Sequence, residues 1–210
     1  RNPQVFATVG IHPHEADHHP DIDTARLVAA AAHPKVIGIG ETGLDYYYDK
    51  SDRDRQRRSF RAHIAASRQT GLPLIVHTRD AEDDTIDILT EETGKGAFPM
   101  VIHCFTGSTA LAEACLALGA YISISGIVTF RNAAALQETA RLIPAERLLV
   151  ETDAPFLAPV PMRGKTCEPA FVAHTAQFLA GLRGEDFQSL EAQTRQNTQT
   201  LFAKMVNSCA

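Results

Sequence analysis

Several features that mark common protein classes are missing from this sequence of 210 residues. No apolar run approaches the roughly 18 residues that a membrane-spanning helix needs, so we expect no membrane partner. No C-x-x-C pair occurs among the four cysteines, which excludes common zinc-finger and thioredoxin-like patterns. A net charge of −5 argues against a broad basic surface that coats nucleic acid. No glycine-rich phosphate loop opens any of the predicted helices.

The remaining composition is that of an ordinary globular protein. Apolar residues make up 44% of the chain and charged residues 21%, which excludes disorder and coiled coils. Scattered, unpaired cysteines are typical of reduced thiols, so we expect a cytoplasmic location. Because no linker, repeat or low-complexity segment interrupts the chain, a single domain over residues 1–210 is the simplest prediction.

Short apolar runs alternate with helical patterns along the chain. Each run is bounded by glycine, proline or polar residues, as buried parallel strands are. Six strands are predicted, at Val5–Val9, Val36–Ile39, Leu74–Val76, Met100–Ile102, Tyr121–Ile124 and Leu148–Val150. Helices are predicted at Thr24–Ala32, Arg53–Thr70, Asp83–Thr93, from Ser108 to Leu118, at Asn132–Leu142 and from Pro169 onward. This alternation predicts an α/β fold with a parallel sheet, either doubly wound or a barrel.

Residues able to bind a metal follow five of the six predicted strands. They are His12, Glu41, His77, His103 and Asp153. Polar residues at the carboxyl ends of many strands favour the barrel, where such residues converge on one face. Histidine with carboxylate suits Zn²⁺, Mn²⁺, Fe²⁺ or Mg²⁺. Each residue alone is more often a capping or loop residue, and only the joint pattern predicts a shared metal site.

Five motifs in these positions resemble the TatD family of metal-dependent hydrolases. They are G-I-H-P-H at 10–14, G-E-T-G-L-D-Y-Y at 40–47, H-T-R-D-A at 77–81, H-C-F-T-G at 103–107 and E-T-D-A-P-F-L at 151–157. The resemblance covers essentially the whole chain. It implies an amidohydrolase-like TIM barrel that acts as an exonuclease-type deoxyribonuclease or other phosphodiesterase, with DNA or another phosphodiester as substrate.

The resemblance also implies roles for individual residues around two divalent ions (Mg²⁺, Mn²⁺ or Zn²⁺). Glu41 is expected to bridge the two ions, and His77 and His103 to bind the second. Asp153 is expected to bind the first ion and to orient or deprotonate the attacking water. His12 is expected near the scissile phosphate and, with Glu41 and Asp153, counts among the catalytic residues.

Substrate binding is a further expectation from the resemblance. The residues expected to hold the substrate are His12, Arg79 and Arg163. No obligate protein partner is inferred.

The family's first two strands and their H-x-H pair of ligands have no counterpart in this sequence. The chain opens at Arg1 without a methionine, so we expect it to be N-terminally incomplete. The first-metal site is then incomplete unless residues before Arg1 supply the pair.

The sequence is also compatible with other interpretations. A metal-dependent lactonase or amidase would use the same ligands, and a degenerate, non-catalytic barrel would have lost them. The basic run at 50–68 is either a nucleic-acid patch or, as charge runs usually are, a solvated helix face. His63, within a predicted helix, is interpreted as a surface or packing residue.

Overall fold

The structure, a computed structural model, describes residues 4–207. Arg1, where the chain starts, and Cys209 lie outside the described residues. The strands are β1 (Ala7–Val9), β2 (Val36–Asp45), β3 (Leu74–Arg79), β4 (Met100–Ile102), β5 (Tyr121–Ile124) and β6 (Leu148–Val150). The α-helices are α1 (Thr24–Ala31), α2 (Arg53–Thr70), α3 (Glu82–Gly94), α4 (Thr109–Ala117), α5 (Ala134–Leu142), α6 (Val172–Arg183), α7 (Phe187–Leu201) and α8 (Ala203–Asn207). The predicted α/β alternation is therefore confirmed.

The described residues divide into two compact units. The first contains residues 4–102, 117–120 and 199–207, and the second contains residues 103–116 and 121–198.

Within residues 4–207, none of the helices combines the length and the apolar character that a membrane crossing requires.

The first unit contains the parallel strands β1 to β4 in chain order, each hydrogen-bonded to the next. Ala7 pairs with Val36 and Leu74 with Met100. The apolar positions of β2, β3 and β4 are largely buried, as expected for parallel strands. β1 differs from the prediction: it starts at Ala7 rather than Val5, and Ala7 and Thr8 are exposed. Ile39, Leu44, Phe60, Ile64 and Leu74 are all fully buried and form part of this core.

Helix α2 has the predicted bounds for identifiable local reasons. The Asp52 side chain accepts a hydrogen bond from the Arg55 N–H and caps the first turn. Phe60 and Ile64, one turn apart, are fully buried, which is the pattern of an amphipathic helix. Gly71 ends the helix with φ +69°, and its N–H donates to the Ser67 carbonyl.

The arginines of α2 are largely paired with acidic side chains. Arg61 contacts Glu92 at 2.8 Å, and Arg57 contacts Asp84 at 2.9 Å. Arg68 reaches Glu92 at 3.1 Å. These pairs support the interpretation of the basic run as a solvated helix face.

The second unit is organised around β5 and β6, which pair in parallel with Ile122 opposite Leu148. Ser108 caps α4 as predicted, because its hydroxyl accepts a hydrogen bond from the Leu111 N–H at 3.1 Å. Asn197 in α7 donates to the carbonyls of Ala145 and Leu148, both at 2.8 Å. This amide therefore ties α7 to the start of β6.

Two strands are longer than the apolar runs predicted. β2 continues to Asp45 and β3 to Arg79, whereas the sequence predicted ends at Ile39 and Val76. Parallel pairing of Gly43 with His77 explains the extension, since it satisfies backbone groups of both strands beyond their apolar portions. Glu41 and His77 consequently lie within strands rather than in loops after them.

Candidate metal centre

Three side chains gather at one place in the first unit: His12, Glu41 and His77, here called the first trio. Their potential ligand atoms lie within 4.8 Å of one another. The Glu41 Oε1 atom lies 3.0 Å from His77 Nδ1 and 3.4 Å from His12 Nε2. Glu41 comes from β2 and His77 from the paired strand β3, so the strand pairing itself brings them together.

The ring of His12 is held in one orientation by its own backbone neighbourhood. Its Nδ1 accepts a hydrogen bond from the His14 N–H at 3.1 Å, as the cap of the short helix Pro13–His18. A neutral imidazole with Nδ1 as acceptor carries its proton on Nε2. The protonated Nε2 lies 3.4 Å from Glu41 Oε1, and in this tautomer His12 can donate a hydrogen bond from that atom.

His77 lies between two carboxylates. Its Nδ1 is 3.0 Å from Glu41 Oε1, and its Nε2 is 3.0 Å from Asp45 Oδ2. A neutral imidazole has one N–H and satisfies only one of these contacts. A cation bound to Nδ1 and Glu41 removes the conflict, because Nε2–H then donates to Asp45. A carboxylate that orients a metal-binding histidine is a common arrangement, and the residues therefore fit a divalent ion.

Asp45 is the residue of this site that the sequence reasoning missed. Its side chain is 1% exposed. Burial raises the pKa of its carboxyl, but hydrogen bonds from the Tyr48 N–H, His14 and His77 outweigh burial and bring the pKa below its ordinary value. The G-E-T-G-L-D motif carried a signal, since residues four apart on a strand face the same side.

A further histidine, His63 of α2, supports the segment that carries His12. The ring is fully buried. Its Nε2 accepts a hydrogen bond from the Ile11 N–H at 2.9 Å, and its Nδ1–H donates to the Ser59 carbonyl at 2.7 Å. Desolvation lowers the pKa of His63 to about 4, so the ring is neutral and holds both bonds. His63 is thus a packing residue, as one of its two interpretations predicted.

A second trio lies in the second unit and consists of His103, Glu151 and Asp153. Its ligand atoms also lie within 4.8 Å of one another. His103 follows β4 and Glu151 follows β6, and His103 Nδ1 is 3.4 Å from Glu151 Oε1. Asp153 adopts φ +59°, a left-handed conformation that aspartate tolerates better than most residues. Glu151 was not predicted, although it stands two residues before Asp153 in the same motif.

The structure thus groups the predicted metal ligands within each unit: Glu41 with His77, and His103 with Asp153. The two expected substrate arginines are not members of either trio. Arg79 is exposed and its guanidinium stacks 4.0 Å from the Tyr47 ring centroid. Arg163 is exposed and lies 3.7 Å over the Phe130 ring. Roles for all of these residues remain predictions.

A family model described as "TatD related DNase" matches residues 1–203. The chain belongs to the TatD family. It is 43% identical over 198 residues to the "Uncharacterized metal-dependent hydrolase YabD" of Bacillus subtilis, covering 94% of this chain and 77% of the relative. It is 40% identical over 204 residues to the "3'-5' ssDNA/RNA exonuclease TatD" of Erwinia billingiae, covering 94% of this chain and 77% of that protein.

The fold of this TatD-family chain also matches a solved structure. The crystal structure of YjjV, a TatD homologue from Escherichia coli, has a TM-score of 0.86 and 29% sequence identity. The match covers 94% of this chain and 76% of the homologue. The fold class predicted from the sequence, an amidohydrolase-like α/β fold of the TIM-barrel type, is therefore confirmed, and the chain is a metal-dependent hydrolase.

Proposed function

We propose that this TatD-family hydrolase cleaves phosphodiester bonds at the ends of single-stranded nucleic acid. The observation that carries the proposal is the grouping of imidazole and carboxylate donors into two trios. Such donors suit the divalent ions that assist phosphodiester hydrolysis. The printed name of the Erwinia billingiae relative, a 3'-5' ssDNA/RNA exonuclease, supports the choice of substrate.

The proposal assigns a divalent ion (Mg²⁺, Mn²⁺ or Zn²⁺) to each trio. Glu41 and His77 would hold one ion, and His103 and Asp153 with Glu151 the other. A bound ion shields the negative charge of the phosphodiester and lowers the pKa of coordinated water toward ~7.

Side chains of the protein supply the remaining steps of the proposed reaction. Asp153 accepts the proton of the attacking water, as a carboxylate general base does. The Nε2–H of His12 donates to a phosphate oxygen and stabilises its charge. Asp45 keeps His77 in the tautomer that leaves Nδ1 available. Arg79 and Arg163 attract the phosphates of the substrate.

The proposal is tested with a single-stranded DNA oligonucleotide labelled at its 5′ end. Protein stripped with a chelator and resupplied with Mg²⁺, Mn²⁺ or Zn²⁺ should shorten the oligonucleotide stepwise from the 3′ end. Asp153→Asn should lower kcat by about 100-fold or more, the usual contribution of a positioned acid–base group. Glu41→Gln should also lower kcat strongly, because it weakens the binding of an ion that assists the reaction. Glu146→Gln, an exposed carboxylate outside both trios, should leave kcat unchanged.

Two results would overturn the proposal. Hydrolysis of a lactone or amide panel without cleavage of DNA would indicate a different class of metal-dependent hydrolase. Failure to retain any divalent metal and to hydrolyse any substrate would indicate a barrel without catalysis. A cytoplasmic location stays a prediction, which cell fractionation tests.

A further inference from the structure

Two tyrosines and an arginine form an exposed surface in the first unit, here called the Tyr–Arg platform: Tyr47, Tyr48 and Arg79. The tyrosines are 56% and 49% exposed, unusually large values for aromatic side chains. Their rings meet edge to face with centroids 4.8 Å apart. The Arg79 guanidinium lies 4.0 Å from the Tyr47 centroid and 4.7 Å from the Tyr48 centroid, so the three side chains form one continuous surface.

The platform is built onto the candidate metal centre through Asp45. The Oδ1 atom of Asp45 accepts the backbone N–H groups of Tyr47 and Tyr48 at 3.2 and 3.0 Å. Its Oδ2 atom contacts His77 at 3.0 Å. One buried carboxylate therefore sets both the turn that presents the tyrosines and the orientation of a first-trio histidine.

Two further contacts place the platform beside the same centre. The Tyr48 ring lies 5.3 Å from the ring of His14, whose Nε2 is 2.9 Å from Asp45 Oδ2. Arg79 pairs with Asp45 in the register of β2 and β3. Tyr48 therefore contacts His14 directly, and Asp45 links both residues to His77 of the first trio.

The neighbouring Tyr46, in contrast to Tyr47 and Tyr48, makes contacts that account for its position within the unit. Its hydroxyl donates to Asp84 at 2.5 Å and accepts from Arg57 at 2.9 Å. Arg53 stacks on its ring at 4.2 Å. Tyr46 is only partly exposed, whereas Tyr47 and Tyr48 keep about half of their surface in water. Packing of the unit therefore does not account for the two exposed rings.

We propose that the Tyr–Arg platform binds a nucleobase of a single-stranded substrate by stacking. This inference rests on the proposed function and names how the substrate is held beside the metal centre. Every base has a π-face, so an exposed aromatic ring binds single strands with little sequence preference. Arg79, with Lys50 at 5.4 Å from the Tyr48 ring, supplies positive charge for the adjoining phosphates.

The test compares the double variants Tyr47→Leu/Tyr48→Leu and Tyr47→Phe/Tyr48→Phe. Binding is measured by fluorescence anisotropy with a labelled six-nucleotide oligothymidylate, in EDTA so that no turnover occurs. The leucine variant should bind at least about tenfold more weakly than the wild type, the loss expected for removal of a stacked base. The phenylalanine variant should bind within about twofold of the wild type, because it keeps both rings.

An oligonucleotide of the same length without bases is the matched probe. It should bind equally to the wild type and both variants, because its phosphates are intact and it has nothing to stack. The chain has no tryptophan and four tyrosines, so quenching of tyrosine fluorescence by oligothymidylate gives a second readout. The far-UV circular dichroism of both variants should match that of the wild type, since all substituted positions are exposed.

The result separates this inference from the proposed function. Equal binding of oligothymidylate by the leucine and phenylalanine variants would contradict base stacking on the platform, even if the protein hydrolyses DNA. Ring-dependent binding without hydrolysis under any metal would leave the platform standing and overturn the exonuclease proposal. A change in oligomeric state of the leucine variant, without a change in oligonucleotide binding, would identify the platform as a protein contact and overturn the inference.

Discussion

At the scale of single residues, Asp45 connects more of the candidate centre than any predicted ligand does. One oxygen holds the turn of Tyr47 and Tyr48, and the other contacts His14 and His77. A buried carboxylate is costly unless its oxygens are satisfied, and these contacts satisfy both of them. The charge of Asp45 and the orientation of His77 therefore depend on each other.

Replacing Asp45 by asparagine should weaken metal binding without unfolding the protein. The amide keeps one acceptor oxygen, but it removes the charge that fixes the His77 tautomer. We expect a loss of about 10- to 100-fold in metal affinity, as for other groups that support metal ligands. Titration of Mn²⁺ by calorimetry measures it. Asp54→Asn, an exposed carboxylate paired with Arg57, is the control, and equal affinities of the two variants would contradict the role of Asp45.

His63 should make the stability of the protein depend on pH. Its pKa is about 4 in the folded state, against an ordinary value of 6.5. As the pH falls below 6.5, His63 becomes protonated in the unfolded chain but stays neutral in the folded protein. Protonation therefore favours the unfolded state, and the free energy of unfolding present above pH 6.5 decreases as the pH falls toward 4. The difference in pKa corresponds to a loss of up to about 3 kcal/mol.

The measurement is urea unfolding of the wild type and His63→Gln between pH 7.5 and 4.5. The glutamine variant lacks the titrating ring, so its free energy of unfolding should fall less steeply over this range. His19→Gln, at an exposed position, should follow the wild-type curve. Parallel curves for the wild type and His63→Gln would show that the buried ring is not the source of the dependence.

The candidate metal ligands could be predicted from the sequence. The residues that hold them in place by hydrogen bonds could not. Glu41, His77 and Asp153 follow predicted apolar strands within three residues. This position alone predicted that they lie at the carboxyl ends of the strands, where a site forms. Asp45 and His63 lack this signal. A buried aspartate looks like a loop residue in sequence, and a histidine inside a helix looks the same whether it faces water or holds the Ile11 N–H.

At the scale of elements, the interiors of strands and helices followed from their apolar patterns. The bounds of α2 agree with the prediction because Asp52 and Gly71 mark its ends. The bounds of β4, β5 and β6 agree because these strands coincide with their short apolar runs. The extension of β2 beyond Ile39 could not be predicted from the hydrophobic pattern. The residues that extend it are largely polar or glycine, and they belong to the strand because they pair with β3. Functional side chains replace apolar ones where the strands continue toward the metal centre.

The contact between β2 and β3 should not tolerate a side chain at position 43. A Cβ on Gly43 would lie 1.9 Å from the His77 carbonyl oxygen, and its φ of +138° is also strained for other residues. Gly43→Ala should cost more than about 3 kcal/mol of stability. Gly94→Ala, in α3 with no atom within 4 Å of the new Cβ, should be neutral or stabilise by up to about 1 kcal/mol. Thermal unfolding compares them, and similar melting temperatures would contradict the close approach.

At the scale of the whole molecule, the α/β class and the family could be predicted because the motifs recur in order along the chain. The division into two units could not, since no composition change marks it. Each unit carries its own trio of imidazole and carboxylate donors. Folding brings the donors of each trio within 4.8 Å of one another, so a cation that binds them together binds the folded state in preference to the unfolded chain. Metal binding and folding should therefore be coupled in both units.

Divalent metal should therefore raise the melting temperature of chelator-treated protein. At a metal concentration about 100 times Kd, each ion that binds only the folded state contributes about 2.7 kcal/mol. For a chain of this length, each ion then raises the melting temperature by roughly 5–10 °C. Differential scanning fluorimetry with Mn²⁺ or Zn²⁺ measures the rise. Glu41→Gln and Asp153→Asn should each remove part of it, because they alter different trios, whereas Glu146→Gln should retain it in full. An unchanged melting temperature in saturating metal would contradict metal binding by either trio.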